Sequence, residues 1–257
     1  MVAGPAGRIG LTMGDWTLLW ITLPGLATGV GGLGLLAVRR PSARVLDVLL
    51  GVTGGIMLAA AIFSLLVPAL DEGTVVEVGA GFLVGAGVLA ALDAYIPHAH
   101  ARFRERSHSR EERRATLMLS ALTIHNLPEG LAVGVAFAAG GAELGVPIAV
   151  AIGVQNIPEG FAAAAPLYAA RASLLAAIGF AAATGLVEPP AALVGYLVAD
   201  SVSALLPLAL SFAGGAMVYV VVDEMLPASR ERGNEREATG GFVGGFVLMM
   251  ILDNALG

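Results

Sequence analysis

Eight long apolar runs decide most about this chain. They lie at about 16–38, 45–70, 76–98, 115–139, 145–170, 172–198, 201–226 and 238–256, and a helix needs roughly 20 such residues to cross a bilayer. Only 13% of the residues are charged, about half the share usual in soluble domains. In hydrocarbon each backbone N–H and C=O must find its partner within the structure, so such runs fold as helices. The expectation is an all-α polytopic membrane protein, a single transmembrane domain over 1–257. The opening MVAGPAGRIGLTMGDW has one arginine and no compact apolar core before residue 16, so the first run reads as a retained span.

The arginines give an independent count of the spans. With the N-terminus outside and the chain alternating, Arg39, Arg40 and Arg44 fall in the first inside loop. The loop at about 99–114 holds Arg102, Arg104, Arg106, Arg110, Arg113 and Arg114. Arg171 falls in the third, and Arg230, Arg232 and Arg236 in the fourth. Thirteen of the 14 arginines then share one side, Arg8 being the exception, and the outside loops DEGTVVE, GGAELG and ADS carry none. The excess of arginine on cytoplasmic loops predicts eight spans with both termini outside. The closest joints are at Arg171 and at Ala199-Asp200.

Two absences remove whole classes of chemistry. The chain has no cysteine, hence no disulfide, zinc–thiolate site or thiol nucleophile, and no lysine, hence no Schiff base and no retinal pump. The loop segment ARFRERSHSREERR holds His108 among arginines and is expected to meet anionic lipid headgroups. Membrane lipid is thus a partner, nucleic acid is not, and a homodimer is left open. The pairs Gly51/Gly55, Gly81/Gly85, Gly130/Gly134 and Gly241/Gly245 are small-xxx-small patterns that bring helices close in lipid.

Inside two of the runs stand HNLPEG (125–130) and QNIPEG (155–160). His125 and Glu129 are four apart and share a helical face, as do Gln155 and Glu159, with Asn126 and Asn156 bordering. If the two spans are antiparallel neighbours, the motifs face each other near the midplane. Pro128 and Pro158 are expected to kink their helices and free the carbonyls of Ile124 and Val154. An ionisable side chain at mid-bilayer costs about 2.5–3.5 kcal/mol, and two facing carboxylates repel unless a cation lies between them. Imidazole with carboxylate suits Zn²⁺ and its transition-metal neighbours. Glu188, in GLVEPPAALVG, is a third carboxylate deep in a span. Met57 by itself reads as core. Asp93, His98 and His100, with Asp223 and Glu224, lie toward inner span ends, and Asp71 and Asp253 toward outer ends.

With GGIMLAAAIFSLLVPAL, GLVEPPAALVG and LMMILDNALG, these motifs resemble the ZIP (Zrt/Irt-like) family of divalent metal transporters, in its bacterial GufA-like branch. The resemblance covers nearly the whole chain. It implies a 3+2+3 bundle, spans one to three and six to eight being related by inverted symmetry, in the cell inner membrane. It implies alternating-access transport into the cytoplasm through a midplane, binuclear metal site. One position would use Met57, His125, Glu129, Gln155 and Glu159, the other Asn126, Glu129, Asn156, Glu159 and Glu188. Asp71 and Asp253 would line the entrance; Asp93, His98, His100, Asp223 and Glu224 would line the exit. Zn²⁺ is the expected cargo, with Cd²⁺, Fe²⁺ or Mn²⁺ as alternatives and no organic cofactor. Some relatives have aspartate at Asn156 and histidine at Asp223.

Two other classes compete with this reading. A metal-selective channel would need the same ligands. An intramembrane metalloprotease would want HExxH, whereas Asn126 follows the histidine here; the di-iron Glu-x-x-His signature is also missing. The expectation is a transporter and not an enzyme.

Overall fold

Backbone groups in an apolar chain pair within helices, and the computed structural model shows this over the residues it describes: 15–39, 41–103, 110–169, 172–201 and 205–256. Side chains are described at all of these but 15, 96–103, 110–121, 200, 201 and 256. The described residues form helices and short connections, with no strand among them. In chain order the helices are α1 (Asp15–Leu33), α2 (Ala43–Ala60), α3 (Val67–Glu72), α4 (Val75–Phe103), α5 (Arg110–Ala169), α6 (Leu174–Gly185), α7 (Glu188–Ser201), α8 (Leu206–Val220), α9 (Leu226–Ala228) and α10 (Glu235–Leu256). Grouped into continuous apolar stretches, they give seven helices long and apolar enough to cross a membrane.

The longest of these, Leu122–Ala169, has 48 residues. At 1.5 Å per residue that is about 72 Å, more than twice the roughly 30 Å hydrocarbon core. It breaks at Gly140 and Gly141, the backbone of both being non-helical. Gly141 has φ +58° with ψ −137°, a region that a side chain would resist. The break falls in the expected loop GGAELG. The expected kinks at Pro128 and Pro158 do not interrupt α5: Gly140 and Gly141 alone leave helical backbone. Chain reversal is left to the glycine pair rather than to the prolines.

Breaks occur elsewhere instead. The expected span 172–198 is divided after Gly185, and Glu188 opens α7 just ahead of Pro189 and Pro190. The spans at 45–70 and 201–226 each contain a π-helical turn, Ala61–Leu66 and Val221–Met225, shortly before Pro68 and Pro227. Such turns loosen helices and cluster at functional sites.

These two turns begin 160 residues apart, and so does much else. Gly54, Gly55 and Met57 match Gly214, Gly215 and Met217; Gly81, Phe82 and Gly85 match Gly241, Phe242 and Gly245; Leu92-Asp93 matches Leu252-Asp253. The packing repeats with the sequence. Gly55 lies against the Phe242 carbonyl and Gly215 against that of Phe82; Gly85 lies against the Phe212 carbonyl and Gly245 against that of Val52. Thus α2 packs on α10 as α8 packs on α4, and all four glycine pairs named above meet a neighbouring helix backbone.

The two ends of the bundle differ in charge. At one, the buried Asp47 accepts from Arg232 Nη1 at 3.0 Å and Asn234 Nδ2 at 2.9 Å, while Arg44 pairs with Glu237 at 3.3 Å. A buried carboxylate needs such partners, and these contacts hold the first turns of α2 against the loop bearing Arg232 and the start of α10. At the other end, Pro68, Asp71, Glu72, Gly140, Leu144 and Leu206 line a cavity of about 180 Å³. Two of the three expected outside loops thus border a common space beside the start of α8, and no described residue lining it is an arginine.

Candidate metal centre

Between these ends, polar side chains from four helices meet where the sequence is otherwise Ala, Val, Leu and Ile. The reversal at Gly140-Gly141 lays the two arms of α5 side by side. Gln155 Nε2 then donates to Glu129 Oε1 at 2.5 Å, linking QNIPEG to HNLPEG. Gly130 adjoins the Glu188 backbone so closely that a Cβ there would strike it. That contact sets the start of α7 beside the first motif. Asn156 Nδ2 donates to Glu188 Oε1 at 2.7 Å and to the Pro24 carbonyl of α1 at 3.0 Å. The Thr28 hydroxyl lies 3.5 Å from the same Glu188 oxygen.

His125, Asn126, Glu129, Gln155, Asn156, Glu159 and Glu188 are all at most 2% exposed. Buried polar atoms normally find partners, yet many here have none. His125 Nδ1, both side-chain heteroatoms of Asn126, Glu129 Oε2, Gln155 Oε1, Asn156 Oδ1, both oxygens of Glu159 and Glu188 Oε2 lack a hydrogen-bond partner among the described residues. This set of imidazole nitrogen, carboxylate oxygens and amide oxygens is the donor chemistry of a borderline divalent cation. The side chains are not gathered round one point: among the described residues no three His, Asp or Glu groups stand close enough to hold an ion. They pair with one another instead, Glu129 with Gln155, Glu188 with Asn156, and His125 Nε2 with Glu224 Oε1.

Met57 is 1% exposed in the apolar cluster that holds Val133 and Ile152 of α5. The other expected residues divide between the two ends. Asp71 is exposed at the cavity beside Gly140, and Asp253 accepts from Ser64 Oγ at 2.6 Å. Toward the arginine-bearing end, Asp93 lies within electrostatic reach of Glu224, Asp223 and His125, with the Tyr219 hydroxyl beside Asp223. His98 and His100 are on α4, and their side chains lie outside the described residues.

Sequence reasoning missed Ser64, Tyr219, Glu72, Thr28 and the Pro24 carbonyl. The 160-residue repeat could have found the first: Ser64 with Asp253 is the counterpart of Glu224 with Asp93. No signal in the sequence points to Thr28, an ordinary threonine in an apolar helix.

The family model "ZIP Zinc transporter" matches residues 98–253. The chain is 41% identical to "Zinc transporter ZIPB" of Bordetella bronchiseptica over 248 residues, covering 90% of this chain and 78% of the relative. It is 43% identical to "Zinc transporter GufA" of Myxococcus xanthus over 245 residues, covering 91% and 96%. "Zinc transporter ZupT" of Stenotrophomonas maltophilia strain R551-3 is 35% identical over 254 residues, covering 92% and 94%.

Proposed function

The chain belongs to the ZIP zinc transporter family, and from that premise we propose that it carries divalent metal cations, Zn²⁺ foremost, into the cytoplasm through the centre just described. It is a multi-pass membrane protein, and the family places it with transporters rather than enzymes. The observation that carries the reading is the set of partnerless donor atoms on His125, Glu129, Gln155, Glu159 and Glu188, buried in membrane-crossing helices. Several kcal/mol of desolvation is tolerable there only if something positive repays it. A dication bridging Glu129 and Glu159 neutralises both.

The chain would cross eight times, Leu122–Ala169 counting as two passes folded at Gly140-Gly141, with both termini outside in the inner membrane. The 160-residue repeat supports a 3+2+3 arrangement with inverted halves, since its two copies fall on spans two and three and on spans seven and eight. One ion position would draw on Met57, His125, Glu129, Gln155 and Glu159, and a second on Asn126, Glu129, Asn156, Glu159 and Glu188. Cd²⁺, Fe²⁺ and Mn²⁺ would compete through the same donors.

The proposed path uses these groups in turn. A cation is drawn to Asp71 and Glu72 at the outer cavity and passes Ser64 and Asp253. It then exchanges water for the central donors. Glu224 rests on His125 Nε2, so an ion taking that nitrogen displaces the carboxylate. The freed carboxylate is then the next ligand on the inward side, with Asp93 and Asp223 beyond it and His98 and His100 further on. Stepwise ligand exchange keeps the ion from falling into one deep well. The site would open alternately to the two sides as helices move about the π-helical turns.

A bacterial strain lacking its own zinc uptake tests this in cells. Expression of the chain is expected to restore growth at limiting zinc and raise cell zinc severalfold. Expression without either effect, with the protein shown to be in the membrane, would count against zinc import.

A further inference from the structure

The helix α1, which carries none of the expected ligands, closes over the second motif. Gly153 lies against Pro24, Gly31 meets the Ile157 carbonyl and Gly160 meets the Thr28 backbone, so α1 touches α5 on both sides of Asn156. Asn156 is wholly buried there. Its amide nitrogen has two hydrogens and two acceptors on different helices, Pro24 O at 3.0 Å and Glu188 Oε1 at 2.7 Å. The opposite amide orientation would set Oδ1 against two oxygens, so the neighbours fix this one. Thr28 Oγ1 approaches the same Glu188 oxygen from α1, at 3.5 Å.

We propose that Asn156 is a positioning residue: through its two donated hydrogen bonds it ties α1 to Glu188, and it thereby makes α1 part of the ion-binding apparatus. The inference rests on the metal-site reading above. In this chain aspartate would lose both bonds, because it has the shape of asparagine but no NH₂ group, and its charge would face the Pro24 carbonyl and the Glu188 carboxylate. A residue serving only as a metal ligand would behave oppositely, since aspartate is the stronger zinc ligand. The two roles therefore predict opposite signs for one isosteric change.

The test uses the purified full-length protein as wild type, Asn156→Asp, Asn156→Ala and Thr28→Val. Two quantities are measured: backbone hydrogen exchange over residues 22–33 without metal, and the dissociation constant for Zn²⁺ by equilibrium dialysis. Both Asn156 variants are expected to exchange at least tenfold faster over 22–33. They are expected to weaken zinc binding by about 10- to 100-fold, the usual cost of losing an outer partner of a ligand. Thr28→Val, which keeps the shape, is expected to weaken zinc only severalfold and to leave exchange as in wild type.

Asn156→Asp with wild-type exchange and equal or tighter zinc binding would overturn the proposal. So would weakened zinc binding with unchanged exchange, which would make Asn156 a ligand alone. A wild type that binds no zinc would refute the metal reading, and the metal-free exchange would still decide whether Asn156 holds α1.

Discussion

Replacing Glu159 by alanine is expected to raise the Zn²⁺ dissociation constant of the purified protein at least a hundredfold, about 2.7 kcal/mol. Glu129 and Glu188 each have one oxygen tied to an amide donor, whereas both oxygens of Glu159 are buried without a partner. Glu159 is thus the carboxylate whose burial has least compensation from the protein itself, and the one with most to offer an ion. Glu159→Gln keeps volume and removes charge, and is expected to lose binding to a similar extent. Equilibrium dialysis with both variants checks the point. Retention of wild-type affinity in Glu159→Gln would move the ion away from QNIPEG.

The second large effect concerns selectivity. His125 is the one imidazole among residues with described side chains, and it stands 2% exposed with Nδ1 unpartnered. Nitrogen ligands favour zinc over harder ions such as Mn²⁺, which accept all-oxygen sets readily. His125→Ala is expected to weaken Zn²⁺ by more than tenfold and Mn²⁺ by much less, so that the Zn²⁺/Mn²⁺ affinity ratio falls about tenfold. Competition dialysis reads the ratio directly. An equal loss for both metals would show that His125 shapes the site without coordinating.

Much of this was legible in the sequence because its signals are local. A membrane span announces itself by length and composition, and HNLPEG and QNIPEG by polar groups where burial is costly. That the two motifs face each other follows from antiparallel neighbouring runs, whereas the particular bond from Gln155 to Glu129 needed the structure. The place of reversal was legible too, since Gly140-Gly141 is the flexible pair between them.

What remained hidden was non-local. His125 and Glu224 are 99 residues apart and belong to different spans, so no spacing rule connects them. Asn156 has the frame of a metal ligand, and its spacing cannot show that both amide hydrogens are already spent on α1 and α7. Pro128 and Pro158 carry the kinking signal, yet the backbone of α5 keeps helical angles there and leaves them at Gly140 and Gly141 alone. The helix is interrupted instead before Glu188, and it widens into π-helical turns ahead of Pro68 and Pro227. The 160-residue repeat was visible in the sequence, but its meaning, exchanged packing of α2 on α10 and α8 on α4, needed the structure.

The most direct measurement is ⁶⁵Zn²⁺ uptake into proteoliposomes holding the purified chain, wild type beside Glu129→Ala. Uptake that saturates with zinc concentration, and that falls to the level of protein-free liposomes in the variant, is the predicted result. Stoichiometric zinc binding without any crossing, or uptake undiminished in Glu129→Ala, would contradict a carrier built on the paired motifs of α5.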